Sequence, residues 1–172
     1  TQGAINAVKE KAVEGVTWWE DTLAEEFPEA AGSLDFQFDF TYADHPVSTD
    51  YEPISQVSNY FQYWMYDFLN AVEHSSTGNF SEDIRAFNDA QRVAHGTNWA
   101  FTIFVVNDEH DADGLFASGG SFRRAFSFAG GQFIVTPAGR PASTFAHETG
   151  HMFWARDEYY GGGSYTDHRG YY

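Results

Sequence analysis

Trp99-Ala100-Phe101-Thr102-Ile103-Phe104-Val105-Val106 is an unbroken apolar run of strand length, rich in aromatic and β-branched residues. A run of this kind lacks the alternation of a half-solvated strand, and it predicts a strand at the centre of a sheet, buried on both faces. Such a strand needs helices above and below it, and the flanking sequence supplies them. Upstream, Ile5, Val8, Ala12, Val16, Trp19 and Leu23 recur at helical spacing, with Lys9, Glu10, Glu14 and Glu20 between them. This predicts an amphipathic helix over 4–27, ended by Pro28 and Gly32. Val57, Tyr60, Phe61, Trp64, Phe68 and Val72 mark a second helix. Ser81 is placed as the N-cap of a third, with Glu82 and Asp83 in its first turn and Gly96 after its end. Downstream, short strands are expected near 121–128 and 132–136, separated by Gly130-Gly131. Pro141 suits the first turn of a last helix, running to about 154.

The segment 34–42 alternates strictly, with Phe36, Phe38 and Phe40 on one side and Asp35, Gln37 and Asp39 on the other. It predicts a further, half-solvated strand. Strands interleaved with helices argue for an α/β fold, a mixed twisted sheet with helices packed on it. No repeat or linker divides the chain, so residues 1–172 are expected to form one domain. The tail from Gly161 to Tyr172 has no assignable pattern.

Composition narrows the function. The chain of 172 residues has no cysteine, which excludes disulfides, a thiolate nucleophile and Cys-ligated zinc. Its net charge is −16, and Lys9 and Lys11 are its only lysines. So acidic a surface repels nucleic acid and anionic membranes, and it suits calcium, cationic partners or solubility alone. No apolar run approaches the length of a membrane span.

His147-Glu148-Thr149-Gly150-His151 carries the chemistry. On a helix, residues four apart lie on one face about one turn apart, so both imidazoles can reach a single ion. Neutral imidazole is a good zinc ligand. Glu148, beside the first ligand, is placed to act as general base on a water whose pKa the metal lowers. The plain alternative is a helix with two satisfied surface histidines. Phe145, Ala146, Met152 and Phe153 around the motif, and the strands before it, favour the metal.

Zinc needs a third protein ligand. Were the helix to continue, Glu158 would lie about 16 Å along the axis from His147, too far for one ion. The helix must therefore end and the chain fold back. Asp157 is then the best candidate, with Glu158 and His168 in reserve.

The run His147-Glu-x-x-His151-x-x-Trp154-x-x-Asp157 resembles the metzincin zinc-binding consensus HExxHxxGxxH/D. The Asp in third place looks most like the snapalysin-type branch of small secreted bacterial proteases. Residues 153–159 are also similar to secreted bacterial metallopeptidases with an HExxHxFxAxDEY pattern. The order of elements resembles a metzincin N-terminal subdomain ending in the active-site helix. The resemblance implies a zinc-dependent endopeptidase acting on proteins or peptides outside the cell, with His147, His151 and Asp157 on zinc and Glu148 as base.

Two departures stand out. Trp154 occupies the place of the family's glycine, whose left-handed turn ends the helix, so the turn is expected to be made differently. Met65 and Met152 are the only methionines, and neither lies downstream of the third ligand, where the family has a Met-containing turn. We therefore expect the chain to be a piece of a longer polypeptide that supplies the C-terminal subdomain. A non-catalytic binding or structural module on a peptidase fold, and a zinc hydrolase acting on non-peptide substrates, are the rival readings.

Asp108-Glu109-His110-Asp111-Ala112-Asp113-Gly114 could offer oxygen ligands to calcium, but no Glu closes an EF-hand pattern, and a solvated acidic turn is preferred. Asp157-Glu158 before Gly161-Gly162-Gly163 is a weaker calcium candidate. Tyr159, Tyr160 and Tyr165 are candidate oxyanion partners. Arg123, Arg124 and Arg140 are expected to pair with carboxylates rather than touch substrate. The segment from Gly119 to Phe128 is a candidate sheet edge to which a substrate peptide could add.

Overall fold

Phe133–Pro137 is the strand around which the molecule is built, and all five of its residues are buried. The computed structural model describes residues 1–50 and 52–157. Numbered along the chain, the strands are β1 (Thr102–Val106), β2 (Phe126–Ser127) and β3 (Phe133–Pro137), in the order β1-β3-β2. β1 runs parallel to β3, with Thr102 opposite Phe133 and Val106 opposite Pro137. β2 runs antiparallel to β3, with Phe126 opposite Val135 and Ser127 opposite Ile134. The 99–106 run is thus a strand, but it is shorter than expected and lies at the edge. Val105 is 38% exposed there. The central place falls to β3, whose Phe-Ile-Val-Thr-Pro is also apolar but shorter. Length of the apolar run was therefore a poor guide to rank in the sheet; coverage by neighbours on both edges decides it.

The helices are α1 (Gln2–Glu26), α2 (Thr41–Asp44), α3 (Phe61–Ala71), α4 (Phe80–His95) and α5 (Ala142–Met152). Alternate sheet residues point to opposite layers. Phe104, Val106, Phe126, Phe133 and Val135 share one buried cluster with Trp64, Phe68 and Leu69 of α3 and Phe80, Ile84 and Phe87 of α4. Trp64 and Phe68 meet Phe104 edge-on, and Phe80 meets Phe133 likewise. This geometry adds about 0.5–1.5 kcal/mol per pair beyond burial alone. Ile134 and Thr136 fall on the other face, the side of α5.

α5 is held in turn by α1. The helices cross at Gly15, where a Cβ would stand 2.2 Å from the Ala142 carbonyl oxygen and 2.7 Å from Phe145 Cβ. Only a residue without a side chain permits that approach. One turn on, Trp19 Nε1 donates to the Ala146 carbonyl at 2.7 Å.

Two expectations need correction. Residues 34–40 keep their alternation, with Phe36, Phe38 and Phe40 half-buried and Asp35, Gln37 and Asp39 exposed, yet they form no strand and lead into α2. The Phe36 N–H donates to Glu20 Oε1 at 2.5 Å, and the Phe36 ring meets Phe101 and Phe153. The period of two reports a segment laid on the body of the protein, not a ladder. α4 starts one residue before Ser81: Asn79 is its cap, and its side chain accepts the Ser81 N–H. Gly96 ends α4 in the left-handed conformation, at φ 65°, as its position implied.

Candidate metal centre

α5 begins after Pro141, whose ψ is extended, and its first turn carries no side-chain cap. The apolar residues Phe145 and Met152 are fully buried. That fixes which way the remaining face looks. His147 and His151 then share the open side, with ring centroids 4.7 Å apart. Their Nε2 atoms are 3.2 Å apart. Asp157 Oδ1 lies 3.1 Å from His147 Nε2 and 3.4 Å from His151 Nε2.

The helix ends at Met152, two residues earlier than expected, and the chain folds back at once. The Phe153 and Ala155 N–H groups both donate to the Gly150 carbonyl at 3.0 Å. Trp154 itself takes the left-handed conformation, with φ 68°. The turn expected to be made differently is therefore the same turn, made by a residue with a side chain at a cost of about 1–2 kcal/mol. It places Asp157 against the histidines.

The donor set fits zinc on geometric grounds. Tetrahedral ligands at about 2.0–2.2 Å from an ion stand about 3.3–3.6 Å from one another. The three atoms here are separated by 3.1–3.4 Å. The tautomer also suits the role. His151 Nδ1 lies 2.8 Å from the Ala155 carbonyl oxygen, which accepts a hydrogen bond from the Nδ1–H of the neutral ring and leaves the Nε2 lone pair available. The His147 side chain is 52% exposed and that of His151 is 14% exposed, so the centre opens to solvent on the His147 side.

Glu148 is buried beside the ligands, at 6% exposure. Ser127 Oγ donates to its Oε2 at 2.6 Å. Burial pushes the Glu148 carboxyl above its ordinary value. The Ser127 hydrogen bond and the nearby His151 and His147 pull it back, and Asp157 adds to the rise. Ser127 went unnoticed in the sequence. Its signal was a single polar residue between Phe126 and Phe128, which in a strand must face the opposite layer from its neighbours. Trp19 is a second missed partner: Gly150 lies so close to its ring that a Cβ would stand 2.8 Å from Cζ2.

The other candidates among the described residues do not converge. Among the described residues, His147, His151 and Asp157 are the group that brings three ligating atoms within 4.8 Å. The three aspartates of the 108–114 loop accept backbone N–H groups. Asp108 accepts the Gly139 N–H, Asp111 those of Asp113 and Gly114, and Asp113 that of Leu115. These bonds describe an acidic turn. Arg123 pairs with Asp113 at 3.6 Å, as expected, and donates to the Phe116 carbonyl, whereas Arg140 donates to the Gly114 carbonyl. His95 lies 3.2 Å from Asp39 Oδ2, and the His74 ring sits edge-on to Phe87. Glu158, Tyr159, Tyr160, Gly161 to Gly163, Tyr165 and His168 lie outside the described residues.

No family model matches the chain, and neither curated proteins nor solved structures yield a match. No helix among the described residues is long and apolar enough to cross a membrane.

Proposed function

We propose that this chain is a zinc-dependent endopeptidase of metzincin-like design. The observation that carries the reading is the convergence of His147 Nε2, His151 Nε2 and Asp157 Oδ1 to within 3.1–3.4 Å of one another, beside a buried carboxylate. His147, His151 and Asp157 would hold the zinc, which when bound would supply a Lewis acid that brings the pKa of a water toward neutrality. The rest falls to the chain. Ser127 holds Glu148 Oε2, which leaves Oε1 to accept a proton from the attacking water and return it to the departing amine nitrogen. Burial favours this exchange, because a carboxyl raised above its ordinary value is a stronger base than a solvated glutamate. Among the described residues β2 is the outer strand of the sheet on the side of Glu148, and a substrate backbone would pair with its outer edge.

The test compares the parent with Glu148→Gln on an unfolded protein substrate, with zinc content measured on both. We expect equal zinc and a loss of turnover of at least about 10²-fold in the variant. Equal inertness of both proteins, each loaded with zinc, would show instead a binding module on a peptidase-like scaffold.

A further inference from the structure

We propose that Trp154 is a positioning residue for the third ligand. With its indole seated on Gly130, it clamps the left-handed turn that carries Asp157 to the two histidines. The inference rests on reading His147, His151 and Asp157 as one metal site.

A tryptophan at φ 68° is in a conformation that side chains adopt only where the surroundings hold them. The surroundings here are specific. A Cβ built on Gly130 would stand 2.1 Å from Trp154 Cε2 and 2.2 Å from Cζ2, so the ring occupies the space a side chain at 130 would fill. Backbone bonds tie the same parts together. The His151 carbonyl accepts from Gly130 N–H at 2.8 Å and from Trp154 N–H at 3.1 Å. Gly131 N–H closes the turn after β2 onto the Phe128 carbonyl at 2.7 Å. The end of α5, the β2–β3 turn and the indole therefore form one block. Ala155, the next residue, supplies the carbonyl that orients His151, and Asp157 follows two residues later. A glycine at 154 would make the turn without strain but would hold nothing. Tryptophan accepts local strain and gains an anchor on the opposite turn.

If Trp154 only filled space, its loss would lower stability and leave the affinity of the folded protein for metal unchanged. A clamp predicts otherwise. The experiment measures zinc affinity by competition with a chromophoric chelator on Trp154→Ala, Gly130→Ala, the double variant and Asp157→Ala, each first shown to be folded by circular dichroism. Asp157→Ala is expected to bind zinc more weakly than the parent. Trp154→Ala and Gly130→Ala are each expected to lose about 10–100-fold in affinity, the range typical of residues that orient metal ligands. The double variant should bind no more than about twofold more weakly than Trp154→Ala, because the two changes break one contact. Parent-like affinity in Trp154→Ala, with Asp157→Ala impaired, overturns the clamp and leaves the site reading standing. Parent-like affinity in Asp157→Ala overturns the site reading and the clamp with it. Should Trp154→Ala fail to fold, Gly130→Ala decides alone: parent-like affinity there refutes the clamp.

Discussion

Replacing Gly15 by alanine would ordinarily help a helix, by about 1 kcal/mol of intrinsic propensity. Here the added methyl would stand 2.2 Å from the Ala142 carbonyl oxygen, 2.7 Å from Phe145 Cβ and 3.0 Å from the Ala146 nitrogen. Two of those three atoms are backbone of α5, so no rotamer change relieves the overlap. α1 must retreat by about 1 Å to restore ordinary contact distances, and overpacking of this kind costs about 1–3 kcal/mol. The same retreat would stretch the 2.7 Å bond from Trp19 Nε1 to the Ala146 carbonyl beyond hydrogen-bonding range. That loss adds about 1 kcal/mol. The collision and the lost bond outweigh the propensity gain, leaving a net destabilisation of about 2 kcal/mol. For a domain of this size, the expected fall in Tm is about 4–8 °C. Thermal unfolding followed by circular dichroism measures it. Gly3→Ala is the control: its Cβ would meet only Thr1 Oγ1, at 3.9 Å, so that variant should melt at or slightly above the parent. A Gly15→Ala variant that melts as high as Gly3→Ala would refute the close crossing, and with it the account of how α1 supports α5 and its two histidines.

Three further outcomes are expected. Ser127→Ala removes the donor to Glu148 Oε2, leaving a buried carboxylate oxygen unsatisfied at a cost of about 1–3 kcal/mol. With that pull on its pKa gone, Glu148 rises further, and the acid limb of the pH–activity profile moves to higher pH; an unmoved limb would count against Glu148 as base. Trp19→Phe loses both the bond to Ala146 and the indole atoms Cζ2 and Cη2 that lie against Gly150, so it should cost at least about 1 kcal/mol and lower Tm by at least about 2–4 °C. Burial alone would raise the carboxyl of Asp83, but the Thr77 backbone N–H and the Tyr66 hydroxyl, with further hydrogen bonds from the same loop, outweigh it and hold it below its ordinary value. A depressed carboxylate stabilises the fold fully above the unfolded-state pKa, and that contribution disappears as pH falls through the lower folded value. Denaturant unfolding of Asp83→Asn should therefore show less stability than the parent at pH 7 and a flatter decline below about pH 4.

The helical half of the fold was legible because helix periodicity is read within one element. Ala12 and Val16 were placed correctly on the buried face of α1, and Gly96 at the left-handed cap of α4. The clustering of the candidate ligands was legible for the same reason: His147 and His151 are related by one helical turn, and Asp157 follows from where that helix must stop. What sequence reading missed is non-local. The rank of β1 depends on which strands pair beside it, and the alternation in 34–40 cannot tell a ladder from a segment lying on a surface. Ser127 meets Glu148 only through the β2–β3 register, and Gly130 meets Trp154 only once that turn and the end of α5 are both in place.

All three metal-ligand candidates lie within residues 147–157, whereas Ser127, Gly130 and Trp19 reach that stretch from distant parts of the chain. The two groups stand differently toward unfolding. A chain that has lost its sheet keeps the ligands close together along the backbone, so the denatured protein retains part of any affinity for the ion. Metal that binds both states stabilises the folded one only by the difference. An ion at this centre should therefore protect the protein against heat less than its Kd for the native state would suggest. A denatured molecule could still carry metal while having lost the hydrogen bond that aims its base.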